Sequence, residues 1–137
     1  MASKEDSSRA KEFNSPSEGK AGVYVYRDSI FGASIKKDIY IDKKCLGESA
    51  PKVFFHTEVA GDKDYDIATE SEFSENYLKA YFAAGKNYFI RQYIKMGAFV
   101  GGANLEMMDE KVAMTSIKEL ELAKSGKCDK SLEKKSR

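Results

Sequence analysis

Between Ala21 and Met96, apolar and polar side chains alternate with a period of two in short runs broken by Gly, Pro, Asp and Lys, a pattern that predicts half-buried β-strands. AGVYVYR (21–27) sets Val23 and Val25 against Tyr24 and Tyr26. Lys36 to Ile41 sets Ile39 and Ile41 against Tyr40, and Asp42-Lys43-Lys44 reads as a tight hairpin turn into a short strand around Cys45 and Leu46 that ends at Gly47. After Pro51, VFFHTEV alternates Val53, Phe55, Thr57 and Val59 with Phe54, His56 and Glu58, and the turn AGDKD leads into a strand from Tyr65 to Ser71. Asn76 to Phe82, the turn AAGK and Asn87 to Met96 form a further pair, with Gly85 supplying the positive φ such a turn requires. This spacing predicts a mainly β protein, an antiparallel β-sandwich or partly open barrel of about seven to eight strands.

Beyond GAFVGG the period changes. Ala103 to Met108 reads as one more strand. DEKVAMTSIKEL places Val112, Ala113, Ile117 and Leu120 at helical spacing behind Asp109, an N-cap residue type, which predicts one short helix near the C-terminus. Leu120 and Leu122 then return to a final strand.

A length of 137 residues with 42% hydrophobic content and eight each of Phe and Tyr suits one domain, assigned to residues 20–123. Residues 1–19 are rich in Ser and charge with one large apolar side chain, Phe13, and are expected to form a disordered tether with an end-to-end distance on the order of 25 Å. Residues 124–137 form a basic tail, expected to fray beyond Cys128. No apolar run is long enough for a membrane helix and MASKEDSSRAKEF is no secretory signal, so the chain as given reads as soluble.

The net charge of +1 hides an uneven distribution. Residues 21–123 carry thirteen basic and sixteen acidic side chains, a net −3, whereas the tail carries six basic against two acidic. Nucleic-acid recognition favours a basic, Arg-rich face on the folded body, and the body holds only Arg27 and Arg91. Nucleic acid is therefore not an expected partner.

Three blocks, GKAGVYVYR (19–27), IYIDKKCLGESAPKVFFHTEV (39–59) and AAGKNYFIRQYIKMG (83–97), resemble an uncharacterised domain-of-unknown-function family of predicted Gram-negative lipoproteins. Its members open with GKAxIYVYR, continue with a D-G-K-x-(I/L)-G hairpin and an aromatic strand, and later carry AGKxYFVRQ followed by KxG. The middle block is also similar to PEGA-like β-domains, except that Lys43 replaces the hairpin glycine, so the turn type does not carry over. The resemblance implies a compact β-sandwich-like fold and an envelope address, and no activity. It further implies that Met1 stands where a lipidated cysteine would precede the tether, which would place the native protein in the periplasm, held to the outer membrane by lipid. Membrane association would then come only through an anchor absent from this chain.

In that oxidising compartment the two cysteines, Cys45 and Cys128, are expected to pair, against the alternative of two free thiols. His56, the one histidine, is expected to be a satisfied strand residue, because no spacing points to a catalytic thiolate or a group to orient the imidazole. Two cysteines and one histidine at unrelated positions give no zinc spacing. Asp62, Asp64 and Asp66 fail as a calcium loop, because Ile67 stands where glycine is required and Phe73 where glutamate is. No metal or cofactor is expected.

The candidate binding residues are Tyr24, Tyr26, Tyr40, Arg91 and Tyr93, together with Phe99, Gly101 and Gly102 of the glycine-rich stretch. The tyrosines lie opposite the aliphatic faces of their strands. Burial between sheets or under the helix is the default for them, and an exposed aromatic surface with Arg91 is the alternative. GAFVGGAN reads as a wide turn or a bulged strand connection, or alternatively as a mobile loop offering Phe99 to a partner. The expected function is that of a non-enzymatic envelope module binding a protein or peptidoglycan. The alternative is a periplasmic immunity or inhibitor lipoprotein that neutralises a toxin or lytic enzyme, and an enzyme with a dispersed site ranks third.

Overall fold

The computed structural model describes residues 1–30, 35–70, 75–96 and 101–128. Along these run α1 (Lys4–Ala10), β1 (Lys20–Arg27), β2 (Lys37–Ile41), β3 (Lys44–Ser49), β4 (Val53–Ala60), β5 (Lys63–Glu70), β6 (Glu75–Phe82), β7 (Asn87–Met96), β8 (Gly101–Met107), α2 (Glu110–Ile117) and β9 (Glu121–Leu122). The strands form a five-stranded sheet, β8-β7-β1-β4-β9, and a four-stranded sheet, β3-β2-β5-β6. The sandwich architecture is as the alternation predicted. Two pairings depart from antiparallel: β1 runs parallel to β7, and β4 to β9.

Alternation decides which side chains meet. Ala21, Val23 and Val25 point from β1 into the space between the sheets, where they meet Ile39, Phe55, Ile67, Phe82 and Ile90. Tyr24 and Tyr26 point the other way, and with Phe54 and Phe89 they lie beneath Ala113, Ile117 and Leu120. The larger sheet is thus apolar on both faces. Asp109 caps α2 as expected, accepting from the backbone N–H groups of Lys111 and Val112. Val112, grouped with the apolar stripe in sequence, is 52% exposed, because the helix turns only Ala113 and Ile117 inward.

A chain of buried polar side chains links the two sheets at the Arg27 end. Ser49 donates to Gln92, whose Nε2 donates to Thr69 Oγ1 at 2.7 Å, and Thr69 donates to the Asp38 carbonyl at 3.0 Å. Each link satisfies a group whose burial would otherwise be costly.

The β2–β3 hairpin closes on two residues, Asp42 at φ 47° and Lys43 at φ 68°. Both are left-handed, the signature of a type I′ turn. Lys43 thus holds a conformation that glycine adopts without steric cost, and Lys43→Gly is expected to raise stability by about 0.5–1 kcal/mol, read as a higher midpoint of chemical denaturation.

The N-terminal segment departs from the expected coil. Ser3 caps α1, Ala2 N–H donates to the Leu122 carbonyl at 3.1 Å, and the Phe13 ring lies 5.5 Å from Tyr24 and 6.0 Å from Phe89. Composition suggested disorder because the segment has no core of its own; a single phenylalanine suffices when the sheet supplies the apolar socket. Asn87 also donates to the Asn14 carbonyl at 3.0 Å, from a position open only because Gly22 beside it has no Cβ. Phe13→Ala is expected to cost about 1–2 kcal/mol of docking. It should speed amide exchange in residues 2–17 and leave the sheets unchanged.

Candidate functional site

The larger sheet is incomplete along β4. On one side β4 pairs with β1 over its whole length, but on the other β9 covers only Val53 and Phe54. The carbonyls of Lys52 and Phe54 accept from Glu121 and Ala123, so even-numbered residues aim their backbone groups toward that side. Strand alternation gives His56 and Glu58 the same direction, with no strand beyond them among the described residues. The chain then crosses the open side of the sandwich: Gly126 N–H donates to the Leu46 carbonyl at 2.9 Å, and Cys128 is disulfide-bonded to Cys45 with their Cα atoms 6.0 Å apart. The expected cysteine pairing is therefore present.

What this crossing leaves uncovered is a groove of about 560 Å³ between β4 and β3. Ile41, Leu46, Val59 and Tyr65 give it apolar walls, and Lys20, Lys44 and Lys63 also line it. Its carboxylates are engaged. Asp42 lies 3.8 Å from Lys63 Nζ and accepts from the Asp66 N–H at 2.8 Å, and Glu58 accepts from the Ser17 N–H at 3.1 Å. Hydrogen bonds from the Ser17 hydroxyl and N–H hold Glu58 below the usual carboxylate range. Tyr65 donates to the Ala60 carbonyl at 2.6 Å, fixing the ring with Lys63 Nζ 5.0 Å from its centroid.

A smaller recess of about 300 Å³ lies on the other face of β4, beneath α1, lined by His56, Tyr24, Asp6, Arg9 and Asn14. The imidazole stacks on Tyr24 with centroids 4.3 Å apart. Burial lowers the His56 pKa, and the Glu58 charge opposes this in part. A depressed pKa means that the unfolded chain binds more protons between the folded value and the ordinary 6.5. Stability from this residue is accordingly full above that window and falls as the pH drops through it. His56→Phe is expected to flatten the stability profile in that interval, measured by denaturant titration across pH. With both cysteines in the disulfide, His56 has no thiolate to activate.

The sequence candidates are dispersed. Tyr24 and Tyr26 are buried under the helices and Tyr40 is buried on the outer side of the smaller sheet with Ala68, beside Cys45 and Cys128. Tyr24 and Tyr26 thus lie under the helical layer, whereas Tyr40 is buried neither between the sheets nor under a helix but beside the disulfide, and none of the three offers an exposed surface. Burial pushes the Tyr24 and Tyr26 hydroxyls up to about 12. Arg91 and Tyr93 do come together, with the guanidinium 5.5 Å from the ring centroid. Asp28 and Glu106 occupy Arg91 at 2.9 and 3.0 Å. Burial alone would lower its pKa, and those hydrogen bonds outweigh it. Gly101 and Gly102, read as part of a wide turn, a bulged strand connection or a loop, are strand residues of β8 opposite Met96 and Lys95. Phe99 lies outside the described residues.

The groove residues Lys20, Lys44, Lys63, Thr57 and Val59 were not singled out from sequence. No local signal could have found them, because they come from four strands of both sheets. Two half-exposed tyrosines on β6, Tyr77 and Tyr81, were likewise missed; the alternation of ENYLKAYF against Phe82 was their available signal.

Residues 17–103 match a family described as "Protein of unknown function (DUF2846)", a span holding all three blocks of the resemblance and every groove-lining residue. A protein of Haemophilus influenzae named "Uncharacterized protein" is 52% identical over 125 residues, covering 91% of this chain and 74% of that relative.

Proposed function

We propose, from the premise that the chain belongs to the DUF2846 family of proteins of unknown function, that it is a non-catalytic binding module of the cell envelope that grips an extended segment of another envelope protein in the β3–β4 groove. The observation that carries this reading is the β4 edge, paired with β9 only at Val53 and Phe54, beside an apolar-walled groove of about 560 Å³. An extended polypeptide can continue the sheet past Phe54 with main-chain hydrogen bonds, while alternate side chains enter the groove, as in other cases of strand addition. The Cys45–Cys128 disulfide supports an oxidising, periplasm-like compartment.

The test is a photo-crosslinking side chain placed at Thr57 in cells, with Lys118, the exposed residue that follows α2, as the control position. A discrete adduct with one envelope protein at Thr57 and none at Lys118 is the expected result. No adduct at Thr57, or the same diffuse labelling at both positions, overturns the reading. A discrete adduct with a toxin or lytic enzyme replaces it with the immunity or inhibitor role.

A further inference from the structure

We infer that the strand taken at the β4 edge is amphipathic, apolar at one parity and uncharged polar at the other, and that residues 2–17 form a strap that closes over its polar side. This rests on the groove reading and adds the chemistry of the occupant. The groove and the recess beneath α1 lie on opposite faces of β4 and share one lining residue, Glu58. His56 and Leu122 also line the recess, so it flanks the row in which β9 stops and the edge of His56 and Glu58 begins. A strand added there lies in line with β9, and cross-strand neighbours share a face. Its residues opposite Thr57 and Val59 therefore enter the groove, and those opposite His56 and Glu58 enter the recess.

The two faces differ in chemistry. Apolar side chains wall the groove, whereas the recess carries Asn14, Ser15 and His56 with Arg9 and Asp6, whose charges balance in an ion pair of 3.3 Å. Serine, threonine or asparagine side chains find hydrogen-bond partners there, while an apolar side chain would strip water from those groups and return nothing. The strap leaves the path of such a strand open. The Ala2 N–H donates to the Leu122 carbonyl at 3.1 Å and the Leu122 N–H to Ser7 Oγ at 3.3 Å, so the strap holds the far side of β9. Its other polar contacts with the sheet go to the side chains of Asn87 and Glu58, and none among the described residues goes to the backbone of His56 or Glu58. α1 buries no residue of its own, and about 300 Å³ stands between it and the sheet. A segment that only sealed the sheet would pack against it; this one leaves room for side chains. An occupant that fills the gap touches sheet and strap together, so binding and strap docking favour each other.

The probes are two short synthetic peptides, one alternating Val with Ser and the other Val with Ala, titrated against the full chain with its disulfide intact. The Val–Ser peptide is expected to slow amide exchange at His56 and Glu58, to slow it about tenfold in residues 2–17 as well, and to bind several-fold more tightly than the Val–Ala peptide. Phe13→Ala, which releases the strap, should weaken Val–Ser binding by about the same tenfold, since coupling is reciprocal, and remove the advantage over Val–Ala. In cells, a photo-crosslinking side chain at Ser15 should capture the same envelope protein as one at Thr57. Equal Val–Ser affinity in the wild type and Phe13→Ala overturns the strap and leaves the groove reading standing. So does an adduct at Thr57 with none at Ser15, and tighter binding by Phe13→Ala would make the segment a competitor instead. Equal affinity of the wild type for the two peptides overturns the polar parity. Protection by neither peptide overturns the inference; the groove reading falls with it only if the Thr57 cross-link is also absent.

Discussion

Reducing the Cys45–Cys128 disulfide is expected to lower the stability of the fold by roughly 4 kcal/mol, because it releases a loop-closure constraint across most of the chain. The two cysteines are 83 residues apart in sequence, so the oxidised unfolded chain is a large ring with far fewer conformations than the open one. The native state loses less, since Gly126 still donates to Leu46 and Ala123 to Phe54 on either side of the crossing. Equilibrium denaturation with and without a thiol reductant checks this. The double variant Cys45→Ala, Cys128→Ala should match the reduced protein and ignore the reductant. An unchanged midpoint on reduction would show that the crossing segment is held by its hydrogen bonds alone.

The second large effect concerns two neighbours on β4. Phe54→Ala and Phe55→Ala are each expected to cost about 3–5 kcal/mol, the range for removing a buried phenylalanine. In a strand covered on one face only, adjacent residues point to opposite environments and one of the two changes would be mild. Here Phe55 fills the space between the sheets at 1% exposure, and Phe54 lies under α2 at 0%. Two similar losses confirm the doubly covered sheet. A Phe54→Ala cost near that of an exposed substitution such as Val112→Ala would mean that α2 contributes little to the outer layer. Denaturant midpoints at constant slope separate these outcomes from a change in the unfolded state.

The alternation in β1 made its strand and its two faces legible, but not which face would be buried. Val23 and Tyr24 are both apolar enough to line a core, and burial of both is resolved only when α2 and Phe13 arrive on the tyrosine side. The N-terminal segment was misread for the same reason. Its one phenylalanine has value only against a socket formed by Tyr24 on β1 and Phe89 on β7, strands 65 residues apart at these positions. Arg91 and Tyr93 were found because two residues on one strand share a face, a local fact. The groove lysines were not, because Lys20, Lys44 and Lys63 belong to three strands in two sheets and become neighbours only when the sandwich assembles.

From local order alone, then, come the strands, their turns, the α2 cap at Asp109 and the mainly β class, since period, turn chemistry and capping act over a few residues. The three sequence blocks also carried the family. The tertiary structure alone decided that β9 covers two residues of β4 and stops, that the crossing segment closes only part of the open side, and that three lysines and an unpaired edge share what remains. Those outcomes depend on where distant segments terminate against one another, and no short-range pattern encodes that.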